Sequence, residues 1–461
     1  MSPPRPLAAA LVAALAAVAA LVALATPAAA HSPEVELLAE YVRLDTSNPP
    51  GGERPAAELL ARRLRAAGIA TELYVSPGGR ASLAAPVPAA RPGAPVVVLL
   101  HHLDVVPEGD GWSGSGFSGE IREGRLHGRG AIDAKSLGVA QLAAFLAARE
   151  VADRERELLF LAVADEEAGG LEGTRYLLES HPELFDRVEA VLNEGGQNRT
   201  VLGRTLFWGI EVTQKRPLWL TIRARGKPGH AAAVNVESAA HRLIAALARA
   251  VEAPPRWRVS DAARVYFGAL AAFDPHARAL AADLDGAIRP AGPTRALMPG
   301  MAGYFLDTFQ VTRLEASPRV NVVAAEARAW ADVRLLPDTD ERAYLEELRA
   351  RLGDAVEVEV ALAAPPVAPS PSDTPLYATL ARGLGAGERV VPAFIAGVTD
   401  SRWFRARGIA AYGVSPFELE AADLATVHGP NERIPLDVFE RGVDRMKRIV
   451  RALVAPEGGT P

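Results

Sequence analysis

The sequence has 461 residues, a formal net charge of −6 and 49% hydrophobic residues, a globular composition that excludes a largely disordered chain. A nucleic-acid-binding protein usually shows a basic balance and basic clusters, and this sequence shows neither. The sequence contains no cysteine, which excludes disulfides, thiolate nucleophiles and cysteine-based zinc sites. Any metal must therefore be held by His, Asp or Glu.

The N-terminal segment has the pattern of a secretory signal peptide. Arg5 precedes an apolar run over residues 7–25, and Ala28-Ala29-Ala30 supplies an A-x-A cleavage site. We expect residues 1–30 to be removed after Ala30, giving a periplasmic or secreted protein with no membrane span after processing. The alternative is an uncleaved membrane anchor, because the apolar run is just long enough to cross a bilayer.

Residues 31–214 alternate continuous apolar runs with amphipathic segments. The apolar runs predict strands buried on both faces, and the amphipathic segments predict helices, so this region is an α/β sheet domain. The predicted strands cover 96–100, 157–164 and 190–192, and the predicted helices lie within 34–70 and over 136–149 and 172–180.

The pattern changes near residue 215, where strands become alternating in polarity. Strands over 218–225, 325–335 and 356–362 with helices over 237–251 and 341–352 predict a small α+β domain spanning 215–363. Residues 255–315 lie inside it and are poorly periodic, as in an extra helical excursion.

A proline-rich linker at 364–371 leads back to α/β character. The predicted architecture is an α/β domain, a sheet flanked by helices, interrupted by a smaller α+β domain. The first domain comprises 31–214 and 364–455, and residues 456–461 form a tail.

Acidic and histidine residues follow several of the predicted strands, where α/β proteins place their active groups. In the His102-Leu103-Asp104 segment, the two polar side chains point to the same face, so that the carboxylate can orient a metal-binding imidazole. Asp133 follows a glycine-rich turn. Glu166 and Glu167 belong to a run of three acids directly after the 157–164 strand, where they repel one another unless a cation neutralises them.

Glu194 in Asn-Glu-Gly-Gly and His428 in a late His-Gly-Pro-Asn-Glu segment complete the set. Each motif alone also fits a plain structural role, such as a loop hydrogen bond, a helix N-cap or a solvated loop. Together they supply about the five nitrogen and oxygen ligands that two zinc ions sharing a carboxylate require, with one further carboxylate left as a base. The full candidate ligand set is His102, Asp133, Glu167, Glu194 and His428.

This ordered set of motifs resembles the co-catalytic zinc metallopeptidases that include aminoacylase, carboxypeptidase G, carboxypeptidase S and succinyl-diaminopimelate desuccinylase. The resemblance covers residues 34–455. It implies that 31–214 and 364–455 form a catalytic domain with a mixed sheet flanked by helices, and that 215–363 form a smaller α+β lid domain. The 255–315 excursion is similar to the carboxypeptidase S-like branch. The resemblance further implies two Zn²⁺ ions, with Co²⁺ or Mn²⁺ as substitutes. One ion would be held by His102 and Glu194, the other by Glu167 and His428, and Asp133 would bridge them.

The resemblance also implies roles for residues that do not bind metal. Asp104 would orient His102, Glu166 would act as the general base, and a non-proline cis peptide would follow Asp133. His230, in Gly-Lys-Pro-Gly-His, is similar to the lid histidine that completes the oxyanion hole, in several members across a dimer interface.

Substrate contacts follow from the same resemblance. Asn321 and Arg334 are similar to positions that hold a substrate carboxylate, and Gly397 and Thr399 to positions in a substrate-side loop. The chain departs from the pattern in the lid, where Ala324 replaces a usual proline and Ala233-Val234-Asn235 replaces the common Ser-Met-Pro type.

The function implied is a di-zinc hydrolase that cleaves an amide bond next to a free carboxylate, in an N-acyl amino acid or a small peptide, with a homodimer through the lid domain. Two other enzyme readings remain open: an aminopeptidase or dipeptidase on the same scaffold, and a deacetylase or desuccinylase of the biosynthetic type. A non-catalytic zinc-binding protein is disfavoured by the presence of Glu166 and Asp104.

Overall fold

The computed structural model describes residues 31–288, 301–385 and 387–456. The predicted signal peptide, its cleavage site and residues 457–461 of the predicted tail lie outside these ranges. No helix within the described residues is both long enough and apolar enough to cross a membrane.

The strands are β1 (Glu72–Val75), β2 (Ala81–Val87), β3 (Val96–His102), β4 (Glu120–Arg122), β5 (Arg125–His127), β6 (Glu157–Val163), β7 (Val188–Asn193), β8 (Arg199–Val201), β9 (Arg204–Gln214), β10 (Arg216–Arg225), β11 (Gly229–His230), β12 (Thr308–Glu315), β13 (Val322–Val323), β14 (Glu326–Leu335), β15 (Val356–Ala363), β16 (Val390–Ile395), β17 (Ala410–Gly413) and β18 (Arg433–Pro435). The helices are α1 (Pro33–Val42), α2 (Arg54–Ala66), α3 (Lys135–Ala148), α4 (Tyr176–Ser180), α5 (Ala239–Val251), α6 (Asp261–Leu270), α7 (Pro275–Ala282), α8 (Leu284–Ala287), α9 (Glu341–Leu352), α10 (Pro375–Leu384), α11 (Ser401–Arg405), α12 (Ala421–Leu424) and α13 (Leu436–Val454).

The main sheet has the strand order β1-β2-β6-β3-β7-β17-β9-β16, and β8 pairs with β9. The four central strands, β6, β3, β7 and β17, run parallel, whereas β1, β2 and the β17–β9 pair are antiparallel, which makes the sheet mixed. Helices α1, α3 and α13 pack on one face, and α4 and α11 on the other. Because both faces are covered, every residue of β3 is buried.

The insert is built on an antiparallel sheet with the order β12-β14-β10-β15. Its buried residues alternate along β10 and β14, since one face packs against α5 and α9 and the other faces outward. In chain order, the strands of this sheet extend from Arg216, the first residue of β10, to Ala363, the last residue of β15. A separate two-stranded ribbon, β11 with β13, carries His230.

The excursion over 255–315 lies within the sequence span of the insert but packs largely against the main sheet. Its helices α6, α7 and α8 pack against the edge of the main sheet, where Phe267 and Phe305 meet Val391 and Phe394 of β16. The physical reason is that β16 is an edge strand whose apolar side chains need a cover. Only β12, at the end of this stretch, joins the sheet of the insert.

Candidate metal centre and active site

The carboxyl ends of three adjacent parallel strands bring the predicted ligands together. His102 ends β3, Glu167 follows β6 and Glu194 follows β7, and these strands are neighbours in the order β6-β3-β7. Asp133 arrives on the loop before α3, and the peptide that follows it is cis, as the resemblance implies. His428 reaches the same edge on the loop between α12 and β18.

Asp133 lies between two pairs of side chains. Its Oδ1 is 3.0 Å from His102 Nε2, which is 3.9 Å from Glu194 Oε1. Its Oδ2 is 3.1 Å from His428 Nε2, which is 3.3 Å from Glu167 Oε1. We call His102 with Glu194 the first half-site and Glu167 with His428 the second half-site. They share Asp133, one oxygen facing each half-site.

The cluster of acidic groups at this centre favours a cation. Burial, reinforced by the charge of Asp133, raises the pKa of Glu194 to about 8. Burial also raises the pKa of Glu167 and raises that of Glu166 well above its usual range. Glu167 Oε1 is buried without a hydrogen-bond donor among the described residues. A set of two imidazoles and three carboxylates fits zinc, and a cation would remove the repulsion between these acids.

Glu166 adjoins the first half-site. Potential ligand atoms of His102, Glu166 and Glu194 lie within 4.8 Å of one another, as do those of His102, Asp133 and Glu167. Glu166 therefore places a further carboxylate beside the first half-site.

Asp104 was expected to orient His102, and the contact between them is made by the backbone of Asp104 and not by its carboxylate. The imidazole of His102 donates from Nδ1 to the backbone carbonyl of Asp104 at 2.8 Å, whereas the Asp104 carboxylate is 3.7 Å from that nitrogen, too far for a hydrogen bond. The carboxylate instead accepts from the backbone N–H groups of Glu166 and Glu167, both at 3.1 Å. A buried carboxylate needs donors, and the turn after β6 provides them. Asp104 thus connects the ends of β3 and β6.

The turn after β6 is supported by residues that were not singled out from the sequence. Asp165, at a φ of 72°, accepts from Arg80 Nη1 at 2.9 Å and from the backbone N–H of Glu172 at 2.9 Å. Asn48 Nδ2 donates to both Asp104, at 2.7 Å, and Asp165, at 3.2 Å. The only signal of this network in the sequence was the run of acids itself.

Glu432 is a further residue of the site that was not singled out from the sequence. Its buried carboxylate accepts from Arg129 Nη1 at 2.8 Å and from the backbone N–H groups of Gly130, Ile132 and Asp133 at 3.2, 2.8 and 3.1 Å. It therefore anchors the loop that carries the shared carboxylate. Its position in the same motif as His428 was the available signal.

A cavity of about 290 Å³ lies over the metal centre, between the two domains. The insert contributes Pro217, Trp219 and Arg334 to its wall. The catalytic domain contributes Gly397, Val398 and Arg402, together with Glu166 and four of the candidate ligands, Asp133, Glu167, Glu194 and His428. Arg334 and Gly397 therefore both lie in the wall of the cavity over the metal centre.

Three predicted residues lie elsewhere. His230 lies on the β11–β13 ribbon and Asn321 lies beside it, and both are exposed. The backbone carbonyl of Asn321 accepts a hydrogen bond from the backbone N–H of Ala231 at 3.2 Å. Neither residue is among the described residues that line the cavity. Thr399 is buried, and its hydroxyl donates to Gln214 Oε1 at 2.8 Å. Because that hydroxyl is satisfied inside the protein, Thr399 fixes the loop, and Gly397 and Val398 are the residues of this loop that face the cavity.

The profile of Peptidase family M20/M25/M40 matches residues 98–452 of the chain. The chain belongs to this family. Mouse (Mus musculus) aminoacylase-1 is 28% identical over 432 residues, covering 92% of this chain and 96% of that protein. A succinyl-diaminopimelate desuccinylase from Methylorubrum extorquens (strain PA1) is 28% identical over 359 residues, covering 76% and 79%. Among solved structures, the M20 family metallo-carboxypeptidase Sso-CP2 from Sulfolobus solfataricus has a TM-score of 0.70 at 19% identity, covering 92% of this chain and 99% of that one.

These comparisons confirm the family and the fold class that the sequence predicted. The chain is a metal-dependent hydrolase of the M20 family.

Proposed function

We propose that this M20 chain is a di-zinc hydrolase that cleaves an amide bond next to a free carboxylate, in an N-acyl amino acid or a small peptide. The observation that carries the proposal is the placement of Asp133, whose two carboxylate oxygens each face a different histidine. Similarity to an aminoacylase over 92% of the chain supports the substrate class.

The residues would divide between two ions. His102 and Glu194 hold one, Glu167 and His428 hold the other, and Asp133 serves both. The side chain of His102 is buried and that of His428 is 51% exposed, so the second half-site is the more open of the two to solvent. Bound zinc supplies Lewis acidity, which polarises the scissile carbonyl and makes water a better nucleophile. Co²⁺ or Mn²⁺ can occupy the same donors.

Glu166 moves the proton. Its carboxylate takes a proton from the attacking water and then delivers that proton to the nitrogen of the leaving amine. Burial and the neighbouring Glu194 raise its pKa, which makes it a stronger base than an exposed glutamate. The backbone bond from its N–H to Asp104 fixes its position relative to the first half-site.

Positive charge in the cavity favours a substrate with a free carboxylate. Arg334 from the insert and Arg402 from the catalytic domain both line it, and the Gly397 backbone lies beside them. Asn321 and His230 are exposed on one chain, and we infer that they act in the cavity of a second copy of the chain. The side chains of Val234, Val320 and Val322 beside them are also exposed, as a dimer interface through the insert would require.

Mixing two inactive variants tests this dimer. His230→Ala and Glu166→Gln each lose turnover, but a mixed dimer has one cavity with an intact Glu166 and an intact His230 from the other copy. Refolding them together at equal amounts should restore about a quarter of the wild-type rate. No restoration in a mixture shown to contain mixed dimers would place His230 in the cavity of its own chain.

The N-terminal segment is part of the proposal as well. We infer export, with cleavage after Ala30 so that the mature chain starts at His31. Sequencing the N-terminus of protein recovered from outside the cytoplasm tests this, and an intact Met1 would indicate an anchor.

A hydrolysis panel followed by mass spectrometry tests the activity. N-acyl amino acids and dipeptides are compared with their carboxyl-amidated and N-blocked versions, with and without a chelator. Chelator-sensitive cleavage restricted to free carboxylates supports the proposal, whereas a requirement for a free amine would identify an aminopeptidase or dipeptidase. No cleavage by protein carrying two zinc ions would reject the substrate class.

A further inference from the structure

A second cavity, of about 180 Å³, adjoins the metal centre within the catalytic domain. Asp133 and Glu194 line both this second cavity and the cavity beneath the insert, so the two cavities meet at these candidate ligands. All the described residues that line the second cavity belong to the catalytic domain. A substrate whose reacting carbonyl lies at the metal centre can therefore extend into both cavities.

The position of Glu166 decides which part of the substrate enters which cavity. In the proposed reaction Glu166 delivers a proton to the nitrogen of the leaving amine, so that nitrogen must lie within its hydrogen-bond reach. Glu166 lines the cavity beneath the insert and is not among the described residues that line the second cavity. The leaving amino acid then occupies the cavity beneath the insert. Because the two substituents of a carbonyl carbon diverge, the acyl chain points towards the second cavity.

The wall of the second cavity is largely apolar. Two of its residues directly precede candidate ligands in the chain, Ile132 before Asp133 and Val427 before His428. Further apolar side chains come from α3, from the segment after β17 and from α12, namely Leu137, Val414, Phe417, Leu419 and Leu424. Such a wall binds an aliphatic chain because the contact removes apolar surface from water.

The charges around the second cavity disfavour an anionic acyl group. No lysine, arginine or histidine is among the described residues that line it, and the ionisable side chains there are those of Asp133 and Glu194. A carboxylate at the far end of the acyl group, as in a succinyl group, would lose its hydration without gaining an ion-pair partner from the wall. An uncharged chain does not carry this cost.

The wall is held in place by contacts outside the cavity. Asn198 Nδ2 donates to the backbone carbonyls of Ser415 and Phe417 at 2.8 and 3.1 Å. The ring of Phe417 stacks on that of Phe439 in α13, with the centroids 6.1 Å apart. The size of the cavity therefore limits the length of the chain. A cavity of about 150 Å³ lined by similar side chains holds a ring of about six carbon atoms.

We propose that the second cavity binds the acyl chain of the substrate and selects an uncharged aliphatic acyl group of about six carbons, an inference that rests on the proposed function. Leu424 is the wall residue best suited to a test, because it is 43% exposed and its replacement leaves the buried core intact.

The test measures kcat/KM of the zinc-loaded wild type for a series of N-acyl derivatives of one amino acid. From acetyl to hexanoyl, kcat/KM should rise about fourfold for each added methylene, the effect of burying one such group, and it should then stop rising. The N-succinyl derivative should be at least about 100-fold poorer than the N-pentanoyl derivative, because its carboxylate is desolvated without a partner.

Leu424→Arg introduces a cation at the wall of the second cavity. It should lower kcat/KM for the hexanoyl substrate by about 10-fold, change the acetyl substrate by less than about threefold, and improve the succinyl substrate relative to the pentanoyl one. Leu206→Arg is the matched control, since Leu206 is 44% exposed and is not among the described residues that line either cavity. That variant should keep the wild-type order of substrates.

Calorimetric binding of straight-chain carboxylates, from acetate to hexanoate, provides a readout that does not depend on turnover. For the zinc-loaded wild type, Kd should fall about fourfold for each added methylene, and Leu424→Arg should flatten this dependence.

The outcomes separate this inference from the proposed function. Cleavage of N-acyl amino acids at rates that do not depend on acyl length would refute the acyl-chain site alone. A Leu424→Arg protein whose altered preference concerns the side chain of the leaving amino acid would assign the second cavity to that side chain instead. A wild type that cleaves no N-acyl amino acid, yet binds carboxylates more tightly as they lengthen, would refute the proposed function and support the aliphatic-chain site.

Discussion

Replacing Glu432 by Gln should damage both the stability and the metal centre of the protein. The carboxylate accepts four hydrogen bonds, two at each oxygen: Arg129 and Gly130 at Oε2, and Ile132 and Asp133 at Oε1. A glutamine has one acceptor oxygen, so two of these buried donors must face its NH₂ group.

The size of the effect follows from the burial of Glu432. Each unsatisfied buried donor costs about 1–3 kcal/mol. Removing the charge of Glu432 also breaks its buried ion pair with Arg129, which costs about 3–5 kcal/mol. This cost and the cost of the unsatisfied donors are not additive, because Arg129 is counted in both. We expect Glu432→Gln to lower the free energy of unfolding by about 3–5 kcal/mol. The loop that carries Asp133 loses its anchor, so zinc affinity should fall about 10- to 100-fold, as when a residue supporting a metal ligand is lost.

Urea unfolding in the presence of a chelator measures the first effect without the metal, and zinc titration measures the second. Glu420→Gln is the control, because Glu420 lies in the same part of the chain and accepts a single backbone bond, from Gly203. That variant should change stability by about 1 kcal/mol or less. A Glu432→Gln protein with wild-type unfolding and wild-type zinc affinity would refute the anchoring role.

Three further predictions concern single side chains. Glu166→Gln should retain its zinc content but lose turnover by about 10²- to 10⁴-fold, and near-normal steady-state rates would remove Glu166 from the role of base. His230→Ala should lower kcat by about 10²-fold or more with a smaller change in KM, and an unchanged kcat would exclude His230 from the oxyanion site. Burial lowers the pKa of His101 to about 3. Between about pH 6.5 and 3, His101 is protonated in the unfolded chain but neutral in the folded one. Its contribution should therefore lower the free energy of unfolding by up to about 1.4 kcal/mol for each unit by which the pH falls. His101→Leu should show a shallower loss from pH 6 to 4 in urea unfolding, and an equal slope would contradict this cause.

The strands and helices that are buried on both sides were the most predictable parts of the fold. The apolar runs at 96–100 and 157–164 became β3 and β6, since sheets covered on both faces select for continuous apolar sequence. The alternating segments of the insert became β10, β14 and β15 for the complementary reason, a half-exposed sheet. The packing partner of the excursion helices was not predictable, because the poorly periodic sequence of 255–315 does not specify which surface they cover.

Four of the candidate ligands could be singled out because each follows a strand end or a glycine turn, whereas His428 lies on the loop between α12 and β18 and was recognised from its place in the ordered set of motifs. The residues that support these ligands could not be predicted from the sequence. The backbone N–H groups that bind Asp104 and Glu432 are oriented by the conformation of two turns, which residue types alone do not specify. Thr399 illustrates the same limit: a loop residue near a site can face either the cavity or the core, and here Gln214 takes its hydroxyl.

Counting zinc is the most direct test of the shared carboxylate. Inductively coupled plasma mass spectrometry on desalted protein should find two ions per chain in the wild type and one in His428→Ala, which removes a ligand of the second half-site only. Asp133→Ala should lose both, because each ion depends on one of its oxygens. A wild type with a single ion, or an Asp133→Ala protein that still holds one ion as tightly as the wild type does, would contradict the two-metal centre.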